Sequence, residues 1–169
     1  VYKRQVSSIS PIIEKDKTGF VLNNFHRTET KAGKKLWEVT AKTGEYITQT
    51  DSAKLTNALI IVYQKNGDII QVESEKAILQ FDNDSLIEAF LEKTVKLNVN
   101  KEKFVTTEKA DFNKLQNTIV APGYAKIEDR NVTLEGELLN VDLSLGILQY
   151  GKKVKTLIKS DHRPASPSL

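Results

Sequence analysis

The segment Ile60-Ile61-Val62-Tyr63-Gln64-Lys65-Asn66-Gly67-Asp68-Ile69-Ile70-Gln71-Val72 decides the fold class. Two runs rich in β-branched residues flank Asn66-Gly67, the pair that most readily takes the two positive φ angles of a tight hairpin turn. Outward from it the same grammar repeats. Trp37, Val39 and Ala41 alternate with Glu38, Thr40 and Lys42, and Val95, Leu97 and Val99 alternate with Lys96, Asn98 and Asn100. Val132 and Leu134 are flanked by Thr133 and Glu135. Period-two spacing is the mark of strands buried on one face. Turn-forming clusters stand at 31–33, 82–84, 100–102, 122–123, 128–131 and 144–146. The expected fold is all-β: an open, twisted antiparallel β-jelly roll of short strands.

One stretch dissents. Residues 85–91 have helical spacing, with Ser85 and Glu88 placed as a capping box. The alternative, a strand pair around a bend, is favoured because 94–99 resumes alternation at once. A degenerate repeat is also visible. Units open at Trp37, Ile70, Phe104 and Val132, and close on the apolar runs 60–63, 94–97, 124–127 and 154–158. Openings 33, 34 and 28 residues apart suggest stacked supersecondary units that bury one another's faces. Residues 1–17 read as a lead-in with at most a short strand, 18–158 as the domain, and 159–169, with two prolines, as a disordered tail.

Composition removes several functions. Twenty-five basic against 22 acidic side chains leave a dispersed net charge of +3, which does not form the clustered basic stripe of a nucleic-acid binder. With no cysteine, thiolate catalysis and zinc–thiolate sites are ruled out. The two histidines, His26 and His162, lie in no metal-binding or nucleophile motif. A triad of His26 with Asp111 is compatible with chain order alone, but surface residues on ordinary strands explain both. Asp82-Asn83-Asp84 opens like a calcium loop yet lacks its glycine and distant glutamate, and Glu73 and Glu75 fall on the solvent face of a strand. No metal, cofactor or catalytic residue is expected. The first residue is Val1, so an N-terminal piece, a signal or a membrane anchor, is expected to precede this chain.

Residues 37–46 (WEVTAKTGEY), 53–63 (AKLTNALIIVY), Gly67 and the strand containing Ala77 resemble the core of the LptC-type family of the lipopolysaccharide-transport (Lpt) machine. Residues 91–97, Thr106-Thr107 with Ala110, and 132–142 (VTLEGELLNVD) are similar to its later strands, with Gly136, Leu139 and Asp142 at the family's strand-and-turn positions. Glu137 stands where a second glycine is common. The resemblance covers roughly residues 20–158, and LptA-type relatives share its fold.

The resemblance implies a non-enzymatic periplasmic bridge, anchored to the inner membrane by an N-terminal helix. Such a protein accepts lipopolysaccharide from an inner-membrane ABC transporter and passes it to an LptA-type jelly roll by strand-edge stacking. The expected lipid-lining residues are Phe20, Leu22, Trp37, Val39, Tyr63, Val72, Leu79, Phe81, Val95, Leu97, Phe112, Tyr124, Leu134, Val141 and Tyr150. The expected partner edges carry Phe20 and Leu22 toward the transporter, and Ile147, Tyr150, Val154 and Leu157 toward the next protein, with Lys152, Lys153 and Lys155 as edge guards or solvent-facing charge. Two other readings stand beside this one: a structural β module whose aromatics are only core, and a carbohydrate-binding jelly roll.

Overall fold

The computed structural model describes residues 4–6, 9–14 and 17–158, so the tail expected at 159–169 lies outside the described residues. Eleven strands follow one another: β1 (Arg4–Val6), β2 (Ile9–Glu14), β3 (Lys17–Lys31), β4 (Lys34–Ile47), β5 (Ser52–Tyr63), β6 (Ile69–Asp82), β7 (Ser85–Val99), β8 (Lys103–Asn113), β9 (Thr118–Asp129), β10 (Val132–Asp142) and β11 (Ile147–Ile158). They form one antiparallel sheet in which β3 to β11 are neighbours in chain order, and β1 and β2 both pair with β3. The lead-in therefore carries two strands rather than at most one. Residues 85–91 are strand, and the bend after them falls at Lys93 and Thr94, both at positive φ.

The strands are longer than the sequence pattern suggests. β3 to β11 run from 11 to 15 residues each. What reads as separate short strands is two halves of one strand joined through a bend. The ladder skips Asn24 and Lys42 between β3 and β4, Lys42 and Asn57 between β4 and β5, and Asn57 and Glu75 between β5 and β6. The break continues through register shifts at 92–95 in β7, 107–111 in β8 and 137–139 in β10. Asn24, Asn57, Lys93, Thr94, Leu138 and Lys153 take positive φ along this line, a conformation that asparagine tolerates better than most residues. Pro122-Gly123, expected as a turn, instead lies inside β9 at the same break. Proline lacks an N–H, and a bulge is where a strand can spare one.

The consequence is a crease running across the whole sheet. Inward-facing residues change parity at it: Val39 and Ala41 give way to Gly44 in β4, Leu55 to Ala58 in β5, and Val72 and Ser74 to Ala77 and Leu79 in β6. The sheet folds at this line into two layers that face each other. Phe25 of the first layer lies over Gly44 of the second, where a Cβ would come within 2.8 Å of its ring. Between the layers sit Val39, Leu79, Phe81, Leu86, Val95 and Leu139, all fully buried. Each such side chain contributes roughly 1.5–3 kcal/mol by leaving water.

The internal repeat acquires a structural meaning. Its openings and closings pair with each other in the first layer, as Trp37 with Val62, Val72 with Leu97, Val105 with Ile127 and Leu134 with Thr156. Each unit is one long bent hairpin, and the hairpins bury one another's inner faces.

The crease gives a direct test. Asn57 at φ 52° should accept Gly with no loss of stability. Asn57→Val should cost about 1–3 kcal/mol, read as a fall in the urea midpoint, because a β-branched residue resists that conformation.

Candidate functional site

The layers part at the lip opposite the crease, where the turns of both layers meet. A cavity of about 540 Å³ opens there, within the range of roughly 300–1,000 Å³ typical of small-molecule sites. Its walls are apolar: Leu36, Trp37, Val62 and Tyr63 from the first layer, Leu86, Phe112 and Leu143 from the second. Its rim is polar, with Gln64, Lys65 and Asn66 on the β5–β6 turn and Lys114, Asn117 and Ser144 opposite. Local chemistry holds these turns. Asp68 N–H donates to Asn66 Oδ1 at 3.0 Å, and Gly67 supplies a φ of 93°. On the other side Asn117 Nδ2 donates to Ser144 Oγ at 2.7 Å, and the Leu143 N–H donates to Asn117 O at 2.9 Å. These bonds tie the β8–β9 and β10–β11 turns to each other.

Deeper between the layers there is almost no room. Val72, Val95, Leu97, Ala110, Ile119 and Val141 enclose about 10 Å³, which is at the limit for a single water.

The expected lining residues therefore divide. Trp37, Tyr63 and Phe112 line the lip cavity. Leu22, Val39, Val72, Leu79, Phe81, Val95, Leu97 and Val141 are buried in packed core, while Leu134 and Tyr150 pack half-buried against it. Tyr124 is not inward and is 55% exposed, whereas Phe20 shares the face of Leu22 and pairs with Tyr46 but is 39% exposed near the end of its strand. Tyr124 follows Pro122-Gly123 at the crease, and the neighbouring Ala125 takes the inward position instead. Leu36, Val62, Leu86 and Leu143 were missed. Leu86 and Leu143 abut turns, where alternation has just begun or ended, and Leu36 and Val62 are half-buried partners of inward neighbours.

Beside the cavity a polar clasp joins the layers. Arg27 and Glu29 of β3 are each only 4% exposed. The Arg27 guanidinium lies 3.6 Å above the Phe81 ring and donates to Asp84 Oδ1 at 3.2 Å and to the Asp84 carbonyl at 3.3 Å. Glu29 accepts from Trp37 Nε1 and, at 3.1 Å, from Ser85 Oγ. Trp37 packs against Phe81 with centroids 6.0 Å apart. His26, by contrast, sits on the outer face, with Nε2 2.9 Å from Glu38 Oε1. Lys35, hydrogen-bonded to the same carboxylate, is the main reason that Glu38 titrates below its ordinary value.

Among the described residues the sheet ends in an edge at β11, which pairs with β10 alone, and Ile147, Val154 and Leu157 on it are more than half exposed. Lys153 Nζ stands 3.5 Å from Glu137. On the other side the expectation fails: β3 is not an edge, because Leu22 pairs with Ile9 and Phe20 with Pro11 of β2. Tyr150 pins β11 in place. Its hydroxyl donates to the Ala125 and Leu134 carbonyls at 3.0 and 3.1 Å, and its ring lies over Gly136, where a Cβ would approach it to 2.8 Å. Burial, with smaller contributions from Tyr124 and Glu135, raises its pKa from 10.0 to about 12.

That shift has a sign. A phenol harder to ionise when folded stabilises fully below pH 10, and its contribution is lost as pH rises toward 12. Tyr150→Phe should therefore cost about 1–2 kcal/mol at pH 7 and flatten the fall in melting temperature above pH 10. Parallel thermal melts of both proteins from pH 7 to 11 would check it.

Comparison with known proteins gives the following. No curated protein matches the chain. Among solved structures, LptH of Pseudomonas aeruginosa, described as the LptA-homologous periplasmic component of the lipopolysaccharide transport device, is 16% identical over 85% of this chain and 96% of that one, with a TM-score of 0.35. The model of the lipopolysaccharide-assembly, LptC-related family matches residues 2–159. The chain belongs to the LptC-related family of lipopolysaccharide-assembly proteins.

Proposed function

We propose that this protein is a periplasmic bridge of lipopolysaccharide transport that shields acyl chains at the lip between its two layers. The observation that carries this reading is the apolar cavity between Trp37, Tyr63, Phe112 and Leu143, in a member of a lipopolysaccharide-assembly family. Each methylene moved out of water gains roughly 0.8 kcal/mol, so a multi-chain lipid needs such a shield to cross an aqueous space. The polar rim, with Lys65 and Lys114, suits a phosphorylated sugar headgroup left outside. The role is carriage, and no bond is made or broken.

The lipid comes from an inner-membrane ABC transporter on the β1–β2 side of the sheet and leaves along β11. An LptA-type jelly roll adds to the free β11 edge by main-chain pairing, which continues the sheet and its apolar inner face. An N-terminal helix preceding this chain tethers it to the inner membrane. The 10 Å³ interior supports a passenger that rides at the lip and goes deeper only when the layers separate.

Two experiments test this. A photoreactive residue at Tyr63 or Leu143 should crosslink to purified lipopolysaccharide, whereas one at Lys96, on the outer face, should not; a folded protein with no adduct at either lip position would leave a packed structural module as the better reading. Val154→Glu with Leu157→Glu, both at exposed positions, should weaken capture of an LptA-type partner by about ten-fold while leaving the melting temperature within a degree or two.

A further inference from the structure

Resting on the role proposed for the lip, we infer that the β8–β9 and β10–β11 turns form a membrane-docking tip. Leu115 and Leu145 enter the headgroup region of an anionic bilayer and hold the mouth of the cavity against the lipid surface.

The tip is unlike the other turns. Of the eight turns that join β3 to β11, six consist of polar or small residues: 32–33 (AG), 48–51 (TQTD), 64–68 (QKNGD), 83–84 (ND), 100–102 (NKE) and 130–131 (RN). That is the ordinary choice, because such residues supply the local hydrogen bonds and backbone angles of a turn. The other two, 114–117 (KLQN) and 143–146 (LSLG), carry leucine. Leu115 is 93% exposed and Leu145 71%, against 42–45% for Ile78, Phe90 and Phe104 on the outer face. Leu143, by contrast, is buried in the wall of the cavity.

The two exposed leucines are presented as a pair. Gln116 N–H donates to Asn113 Oδ1 at 3.1 Å, and the Ser144 and Leu145 N–H groups donate to Asp142 Oδ1 at 2.9 and 3.0 Å, so a side chain at the base of each turn closes it. Asn117 then ties one turn to the other through Ser144 and Leu143. Lys114, Asn117, Leu143 and Ser144 of these turns line the lip cavity. Whatever covers the leucines therefore sits at the cavity mouth.

The chemistry of the tip selects a lipid surface. Two side chains on separate turns offer far less than the roughly 800 Å² that each partner buries in a standard protein interface. A bilayer needs no matching surface, since each side chain gains independently by leaving water. The charge agrees. Neither turn contains an acidic residue, Lys114 adjoins Leu115, and Lys65 stands on the opposite rim of the same cavity. Asp142, next to the second turn, directs Oδ1 at the turn's own N–H groups. Apolar tips flanked by cations suit a surface with anionic headgroups. In the docked state, acyl chains passing between bilayer and cavity meet little water.

The chain has no cysteine, so a single introduced one can carry an environment-sensitive fluorophore. Leu115→Cys, Leu145→Cys and, on the outer face, Phe104→Cys would each be labelled. Each would be titrated with vesicles of phosphatidylethanolamine and phosphatidylglycerol that contain no lipopolysaccharide. Emission should shift to the blue and rise at least about two-fold for the two leucine positions, and stay unchanged for Phe104→Cys. In flotation with the same vesicles, Leu115→Ser combined with Leu145→Ser should weaken binding by about ten-fold or more. Lys114→Gln should weaken it by about three-fold, and only on vesicles that contain phosphatidylglycerol. No emission change at either leucine position, an equal change for Phe104→Cys, or undiminished flotation of the folded double variant would overturn the docking tip. Crosslinking to lipopolysaccharide at Tyr63 is read separately: adducts without vesicle binding remove the tip and leave the carrier, whereas vesicle binding through the tip without adducts keeps the tip and removes the carrier.

Discussion

Everything in this fold depends on the crease. A long antiparallel sheet with one apolar face has to bury that face. A flat sheet of this size would need a second body to cover it. Here the cover is the sheet itself, bent in half where β3 to β11 each depart from regular pairing. The departure is made from residues that tolerate a left-handed or proline-fixed backbone, Asn24, Asn57 and Pro122 among them. Because inward parity changes at the crease in most strands, apolar residues one register step apart all reach one interior. That interior is tight, with Phe25 over Gly44 at one place and Tyr150 over Gly136 at another.

Folding a sheet in half also creates the rest of the functional geometry. It sets a lip opposite the crease, and at that lip the layers are far enough apart to leave an apolar cavity. Among the described residues it leaves β11 unpaired on one side while β1 and β2 cover β3 on the other, which makes the two ends of the sheet different. The buried Arg27 and Glu29, costly groups in an apolar interior, lie where the two layers are tied together near the cavity.

Much of this was legible in residue order. Alternation around Asn66-Gly67 and the turn clusters marked an antiparallel all-β chain, and the hairpin repeat was visible from Trp37, Ile70, Phe104 and Val132. The crease was not. Its signal is a scatter of single residues (Asn24, Lys42, Asn57, Glu75) whose alignment emerges only once the strands are laid side by side. The same blindness misplaced Pro122-Gly123 as a turn and Tyr124 as an inward residue, because parity carried across an unseen bulge points the wrong way. Trp37, Tyr63 and Phe112 were found at the cavity since large aromatics at strand ends are visible in any register. Asp84 was readable only as a turn residue, and its partner Arg27 is distant in sequence.

The central claim is that acyl chains lie at the lip and not on the outer face of the sheet. The most direct measurement is intermolecular NOEs in a complex of methyl-labelled protein with lipopolysaccharide. Cross-peaks from acyl methylenes to the methyls of Leu36, Leu86 and Leu143, with none to the exposed Ile78 on the outer face, are the expected result. Cross-peaks confined to Ile78 and its outward neighbours would contradict it.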